Sequence, residues 1–211
     1  MGDAAESYLI SWSERDLARA DEFIELGELS FFVPQKVFSP DPELTHSTSS
    51  LLEAFPATID GRMLDLGTGC GVLAIHAAKR GAQVVASDYD EVALQAARKN
   101  VKLHNAGEQV VVMQSDLLES ISGKFSLIVA NLPIVDSAWS GLAHSVKGQM
   151  KRLLEDLPEY LEPNGRCLVS FASFGNMPLF LELLKNQPLA YRESCQEKFG
   201  VSWSVFELRM R

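Results

Sequence analysis

The sequence predicts a single α/β domain, in which short apolar strands alternate with amphipathic helices. A strand at 63–66 is followed by a glycine-rich loop and by a helix that begins at Val72. Three further apolar strands, 83–87, 110–114 and 125–130, are each followed by a polar side chain. The last of these is almost entirely apolar, as expected for a strand covered by helices on both faces. A chain of 211 residues is long enough to bury a sizeable core.

The loop after the first of these strands carries Gly67, Gly69 and Gly71, and it is preceded by Asp65. Glycines let the backbone approach a ligand at points where a Cβ atom would collide with it. The spacing is G-x-G-x-G, whereas the dinucleotide fingerprint G-x-G-x-x-G would require glycine at Val72. An acid just before the glycines suits a cationic amino-acid moiety better than a pyrophosphate, which favours an uncluttered helix N-terminus.

Segment 64–71 (Leu-Asp-Leu-Gly-Thr-Gly-Cys-Gly) resembles motif I of the class I S-adenosylmethionine-dependent methyltransferases, and the run that begins at Ser87-Asp88 resembles their motif II. The proline-containing segment 39–45 ahead of motif I is similar to the methyltransferase small domain enzymes, including the protein-glutamine N-methyltransferase and ribosomal RNA guanine-N2 branches. The resemblance implies a Rossmann-like, doubly wound, seven-stranded sheet of order 3-2-1-4-5-7-6, with the last strand antiparallel. It also implies S-adenosyl-L-methionine as the cofactor.

Acids at the carboxyl ends of parallel strands face the ligand crevice of such a sheet. Asp88 lies about twenty residues past the glycines, where an acid binds ribose hydroxyls. Tyr89 either packs on adenine or shields the sheet edge. An acid at the position of Asp116 accepts a hydrogen bond from the adenine amino group in the family; the alternative is a helix cap for Leu117 onward. The expected cofactor-binding set is Asp65, Gly67, Thr68, Gly69, Gly71, Asp88, Tyr89, Asp116, Leu117 and Asn131.

Strand 125–130 ends at Asn131-Leu132-Pro133-Ile134, the position of the family's motif IV. That motif is often Asn-Pro-Pro-Tyr in enzymes that methylate planar nitrogens. There the Asn side-chain oxygen and the next carbonyl accept N–H bonds, which localise the nitrogen lone pair toward the methyl group. By this resemblance Asn131, the Leu132 carbonyl and Pro133, which stiffens the turn, form the catalytic set.

Ile134 stands where the family motif has the aromatic residue that stacks on a planar substrate. Trp139 and Phe32 are candidates for a substitute aromatic face. If the nucleophile is a hydroxyl rather than a nitrogen, Asp136 is a candidate general base. Alternatively, this turn only ends the strand, and the enzyme methylates oxygen or another atom.

Ahead of motif I, residues 1–30 are expected to form a helical cap, with Ser13 capping a helix through Leu17, Ala20 and Ile24. This cap either lies passively on the core or covers the substrate pocket as a lid. A small hairpin or bent strand is expected at 31–38 around Pro34-Gln35, and a helix at about 45–55. We therefore expect a cap and substrate-side segment at 1–55 and a methyltransferase core at 56–211.

The net charge is −9, from 28 acidic and 19 basic residues, without a basic cluster. Because phosphate contacts dominate nucleic-acid affinity, this charge favours a protein or small-molecule partner over RNA. The three cysteines are widely spaced and share no metal-ligand pattern with the histidines, so no metal site is expected. No apolar run is long enough for a membrane span. A cytoplasmic protein is the expectation, while the sequence does not define the oligomeric state.

The favoured function is N-methylation of an amide or amine on a protein or small molecule. Three alternatives stay open: a ribosomal RNA (guanine-N2) methyltransferase, a non-catalytic S-adenosylmethionine-binding partner subunit, and an NAD-dependent oxidoreductase. The glycine spacing counts against the last of these.

Overall fold

The structure is a computed structural model that describes residues 3–135 and 145–211. Trp139 and Asp136, named above as a substitute aromatic face and as a base, lie outside the described residues. The elements are α1 (Asp3–Ala18), β1 (Glu22–Leu26), β2 (Leu29–Val33), α2 (Ser47–Ala54), β3 (Arg62–Leu66), α3 (Val72–Ala78), β4 (Gln83–Asp88), α4 (Glu91–Leu103), β5 (Val110–Gln114), β6 (Phe125–Ala130), α5 (Val146–Tyr160), β7 (Leu161–Ala172), α6 (Met177–Lys185), β8 (Leu189–Lys198) and β9 (Val201–Met210).

Seven of these strands form one sheet in the order β5-β4-β3-β6-β7-β9-β8. Numbered from β3 onward, this order is 3-2-1-4-5-7-6, so the prediction is confirmed. The strands from β5 to β7 pair in parallel. β9 runs antiparallel to both β7 and β8, so the final strand of the chain is reversed as expected. The strand order reverses between β3 and β6, which places the topological switch point beside the glycine loop.

Helices cover both faces of the sheet, and each face has its own apolar cluster. Met63 of β3 faces one cluster with α2, α3 and α4, whereas Leu64 faces the other cluster with α5 and α6. Both side chains are fully buried because alternate residues of a strand point to opposite faces. Burying a side chain of this size stabilises the fold by about 1.5–3 kcal/mol. The core therefore fixes the ends of the parallel strands, where the polar residues lie.

The N-terminal segment differs from the prediction. α1 ends at Ala18, so the helix expected from Ser13 through Ile24 is wrong, and Ile24 lies in strand β1. Ser13 lies inside α1, where its Oγ donates to the Ile10 carbonyl at 2.8 Å. Strands β1 and β2 form an antiparallel hairpin that turns at Gly27, whose φ is +64°. Residues 24, 26, 31 and 33 are buried with a period of two, which is the strand pattern, although residues 17, 20 and 24 also match helical spacing.

The hairpin expected around Pro34-Gln35 is also wrong, because residues 29–33 already form the second strand of the N-terminal hairpin. Pro34 instead begins a turn in which the Val37 amide donates to the Pro34 carbonyl at 3.0 Å. Segment 163–165 (Pro-Asn-Gly) lies within β7. Helix α5 ends at Tyr160 and passes directly into the strand. The pairing register with β6 shifts there, as proline and glycine in a strand often cause.

Within the described residues, no helix combines the length and the apolar character that a membrane span requires.

Candidate functional site

The residues expected to bind the cofactor lie at the carboxyl ends of β3, β4, β5 and β6. A single pocket at this edge of the sheet, called here the glycine-loop pocket, is lined by seven of them: Gly67, Gly69, Asp88, Tyr89, Asp116, Leu117 and Asn131. The structure thus brings together side chains from four separate segments of the sequence. Asp65, Thr68 and Gly71 do not line this pocket.

The glycine loop adopts a backbone that other residues resist. Gly67, Gly69 and Gly71 have φ values of +71°, +54° and +87°. A Cβ on Gly67 would lie 2.7 Å from Leu132 Cδ2, so a side chain there would displace the motif IV turn. A Cβ on Gly71 would lie 3.3 Å from the Ala97 backbone, so this glycine is required for close packing of α3 on α4. The glycine loop and the motif IV turn are therefore packed so closely at Gly67 that no side chain fits between them.

Asp65 is fully buried beneath the loop and holds it in place. Its Oδ2 accepts hydrogen bonds from Thr68 Oγ1 at 2.6 Å and from the Ala74 amide at 3.0 Å. Its Oδ1 is buried without a hydrogen-bond partner among the described residues. Burial raises the pKa of the Asp65 carboxyl to about 7, although the bonds from Thr68 and Ala74 oppose the rise. An unpaired carboxylate oxygen at this depth favours a nearby cation.

We expect Asp65→Asn to change how stability depends on pH. The folded pKa of about 7 lies above the unfolded value of 3.8, so the free energy of unfolding of the wild type falls as pH rises between about 4 and 7. Asparagine still offers an oxygen to Thr68 and Ala74 but does not titrate. The difference in melting temperature, variant minus wild type, should grow across this interval and level off above it. A constant difference from pH 4 to 8 would contradict a raised Asp65 pKa.

Asp88 ends strand β4 beside the loop. Its Oδ2 accepts from the Gly69 amide at 2.9 Å, and its Oδ1 accepts from the Asp90 amide at 3.0 Å. Burial raises the pKa of Asp88, and these backbone donors counteract the shift. A carboxylate has about four lone-pair sites, so each oxygen can still accept one hydroxyl from a ligand. The geometry fits an acid that binds a vicinal diol while it also holds the glycine loop.

Tyr89 and Asp116 also line the glycine-loop pocket. The Tyr89 ring is half exposed, and burial together with the nearby carboxylates raises its pKa. Asp116 forms a salt bridge to Arg152 of α5 at 3.1 Å, and Glu119 pairs with the same guanidinium at 2.7 Å. Arg152 therefore orients the Asp116 carboxylate, and it was not anticipated from the sequence.

Lys36 is a second residue that the sequence analysis missed. It lines the glycine-loop pocket together with three acids, Asp88, Asp90 and Asp116, and it is the only basic side chain among the described lining residues. S-adenosylmethionine carries a carboxylate as well as two positive groups. Lys36 therefore matches the carboxylate, while the acids match the ribose hydroxyls and the amino groups. The donors and acceptors present fit this cofactor.

A second pocket, called here the aromatic pocket, adjoins the first. The two share Phe38, Asn131, Leu132 and Pro133 in their linings. Six aromatic side chains line the second pocket: Tyr8, Trp12, Phe38, Phe171, Phe174 and Trp203. Among the described residues, no charged side chain lines it. Phe32, one of the two substitutes considered for the missing motif IV aromatic residue, is not part of this pocket and packs under Lys99 of α4, with Nζ 3.1 Å from the ring centroid.

Asn131 lies between the two pockets, and its side chain is held at both ends. Its Oδ1 accepts from Ser170 Oγ of β7 at 2.5 Å. Its Nδ2 donates to Ser47 Oγ at 3.2 Å and to Thr48 Oγ1 at 3.3 Å, both at the start of α2. The orientation of the amide is therefore fixed, and the second lone pair of Oδ1 stays available to accept an N–H group. Ser170 and the α2 hydroxyls lie far from motif IV in sequence, so spacing alone did not reveal them.

Comparison with known proteins agrees with this geometry. The family model described as "Methyltransferase small domain" matches residues 28–199. The chain belongs to this family. The predicted membership of the methyltransferase small domain family is thereby confirmed, and so is S-adenosylmethionine as the predicted cofactor.

Curated relatives are ribosomal protein L11 methyltransferases. The protein from Halalkalibacterium halodurans is 37% identical over 164 residues, which span 76% of this chain and 45% of the relative. The protein from Desulfitobacterium hafniense is 39% identical over 129 residues, 60% of this chain and 37% of the relative. The chain thus spans less than half the length of these relatives.

Solved structures share the fold. A methyltransferase from Pyrococcus furiosus superposes with a TM-score of 0.66 at 17% identity and covers all of both chains. A ribosomal protein L11 methylase from Lactobacillus delbrueckii superposes with a TM-score of 0.64 at 23% identity, covering 90% of this chain and 99% of its own. At these identities the superpositions establish the architecture.

No group of His, Cys, Asp or Glu side chains within residues 3–135 and 145–211 is arranged to hold a metal ion.

Proposed function

We propose that the chain transfers a methyl group from S-adenosylmethionine to a nitrogen, an amide or amine, of a protein acceptor. The observation that carries this proposal is the shared wall between the two pockets. Asn131, Leu132 and Pro133 border both the acid-rich glycine-loop pocket and the uncharged aromatic pocket. A methyl donor on one side and a nucleophile on the other would meet at this wall.

The charges of the pocket residues indicate which part of the cofactor each residue would bind. Lys36, Asp88 and Asp116 would hold the carboxylate, ribose and adenine ends of the cofactor, and buried Asp65 would favour its cationic end. The bound sulfonium supplies an activated methyl group with a good leaving group. The protein then has to supply position and a nucleophile with a free lone pair, so orientation is the main catalytic requirement.

Asn131 and the Leu132 carbonyl are the proposed orienting acceptors. An acceptor N–H that bonds to Asn131 Oδ1 would point its lone pair toward the methyl group in the adjoining pocket. Ser170, Ser47 and Thr48 prevent the amide from turning, so little reorganisation is needed when the acceptor arrives. Pro133 stiffens the same turn.

A protein acceptor is favoured over RNA by two observations. The curated relatives are named for ribosomal protein L11, and net charge is −9 without a basic cluster. Lys and Arg side chains that neutralise phosphates supply most of the affinity of a protein for nucleic acid. We also propose that residues 1–55 form an N-terminal cap and substrate-side segment and residues 56–211 the methyltransferase core. Tyr8, Trp12, Phe38, Thr45 and Ser47, all in the first segment, line the aromatic pocket.

The cofactor assignment is tested by thermal shift. S-adenosylhomocysteine at a hundred times its dissociation constant should stabilise the folded state by about 2.7 kcal/mol and raise the melting temperature, whereas NAD at the same concentration should not. A shift with NAD alone would overturn the proposal in favour of an oxidoreductase. The acceptor is tested with labelled methyl donor on purified ribosomal protein L11 and on ribosomal RNA. Labelling of RNA alone would contradict a protein acceptor.

A further inference from the structure

The first turns of the chain build one wall of the aromatic pocket. Tyr8, Leu9 and Trp12 of α1 line it, together with Ser170 of β7 and Trp203 of β9. The family model begins at residue 28, so this helix lies outside the matched region. The wall is therefore contributed by a segment that the family match does not explain.

The aromatic side chains of this wall pack against other rings that line the pocket. The Tyr8 ring stacks on Phe174 with centroids 5.7 Å apart and meets the edge of Trp203 at 5.6 Å. Its hydroxyl donates to the Leu44 carbonyl at 2.6 Å, and burial raises the pKa of Tyr8 to about 12. Trp12 is 9% exposed and contacts Phe38, with centroids 6.2 Å apart.

The C-terminal end of α1 is also fixed relative to the glycine-loop pocket. Arg19, one residue after the helix, is buried and donates to the carbonyls of Gln35 at 2.9 Å and Val37 at 2.6 Å. It pairs with Asp16 of the same helix at 3.2 Å. Val37 lines the glycine-loop pocket, so the same contacts set the position of α1 and of that lining segment.

We infer that Tyr8 and Trp12 are specificity-determining residues, which restrict the acceptor to a slender, uncharged group such as an amide or a neutral amine on a flexible protein segment. The inference rests on the proposed function and deepens it. The aromatic side chains and Asn131 line one uncharged pocket, a slot that suits a single uncharged side chain. A nucleotide would bring a phosphate into a lining that, within the described residues, holds no cation to pair with it.

The test measures acceptor and cofactor separately. Trp12→Ala should raise KM for ribosomal protein L11 about tenfold, because removing a buried aromatic contact commonly costs at least that in affinity. The dissociation constant for S-adenosylhomocysteine, measured by calorimetry, should stay within about twofold. Trp12→Phe should recover most of the loss. Ile10→Ala is the matched control, since Ile10 lies on the same helix and is 56% exposed.

A second variant covers the case in which Trp12→Ala unfolds. Leu9→Trp adds bulk to the same wall, and it should also raise KM for L11 while cofactor affinity is kept. If neither Trp12→Phe nor Leu9→Trp nor Trp12→Ala changes KM for an acceptor that the wild type methylates, the specificity role is wrong and the proposed function stands. If the wild type binds S-adenosylhomocysteine but methylates only RNA, the protein acceptor and the slot built for it are both overturned. If it methylates neither L11 nor RNA, both proposals fail.

Discussion

Asn131→Ala is expected to lower kcat by at least about a hundredfold while leaving the affinity for S-adenosylhomocysteine within about threefold of wild type. The variant removes the side-chain oxygen that would orient the acceptor nitrogen, and it leaves the Leu132 carbonyl as the remaining acceptor. Cofactor contacts should be largely kept, because the variant leaves unchanged the acids and Lys36 that line the glycine-loop pocket. Single-turnover transfer and calorimetric titration measure the two effects independently.

Ser170→Ala is the matched control for this prediction. It removes the hydroxyl that donates to Asn131 Oδ1 at 2.5 Å but keeps the amide itself. Because Ser47 and Thr48 still hold the other end of the amide, we expect a smaller loss of about tenfold in kcat, typical of one hydrogen bond. Equal loss of cofactor binding in Asn131→Ala and in a cofactor-pocket variant would remove the orienting role proposed for Asn131.

The parallel part of the fold could be predicted because its signals are local. Strands β5 and β6 were predicted with the bounds that the structure has, and helix α3 begins at Val72 as predicted. Each of these elements can be recognised from a few consecutive residues, by an apolar run and by the turn residues that bound it. The resemblance to motif I supplied the strand order, which local patterns cannot give.

The N-terminal region could not be predicted in the same way, because two periodicities overlap there. The spacing of residues 17, 20 and 24 suits a helix, and that of residues 24, 26, 31 and 33 suits strands. The outcome depends on partners far away in sequence. Asn100 of α4 donates to the Phe32 carbonyl and accepts from the Phe32 amide, each at 2.8 Å, and His104 bonds to the Ser30 carbonyl. These contacts place the hairpin against α4, and single-sequence patterns do not encode them.

The candidate site shows the same distinction. Acids at strand ends were identifiable because chain topology brings the ends of parallel strands together. Residues that act through tertiary contacts were not: Arg152 orients Asp116, and Ser170 holds Asn131 from 39 positions away in sequence. The aromatic pocket likewise brings residues of α1 together with residues of motif IV, β7 and β9, which are distant in sequence. Phe32 and Trp139 were candidates for the substitute aromatic face because position in the sequence does not show which rings meet in the folded chain.

Asp88→Ala is expected to have the largest effect on cofactor affinity, raising the dissociation constant for S-adenosylhomocysteine at least about a hundredfold. Hydrogen bonds to a charged group contribute about 1.5–3 kcal/mol each, and Asp88 would accept two from the ribose. The carboxylate also accepts from the Gly69 and Asp90 amides. Its removal therefore loosens the glycine loop as well as the sugar contact.

Two variants separate these contributions. Asp88→Asn keeps an acceptor oxygen for one backbone amide and for one hydroxyl, and it removes the charge, so its affinity should fall between wild type and alanine. Glu91→Gln removes a negative charge from the neighbouring turn without touching the pocket, because Glu91 is exposed and pairs with Arg98. If Glu91→Gln weakens binding as much as Asp88→Ala, long-range charge rather than a directed contact explains the affinity. If Asp88→Ala binds S-adenosylhomocysteine as tightly as wild type, Asp88 does not hold the ribose, and its remaining role is to support the glycine loop.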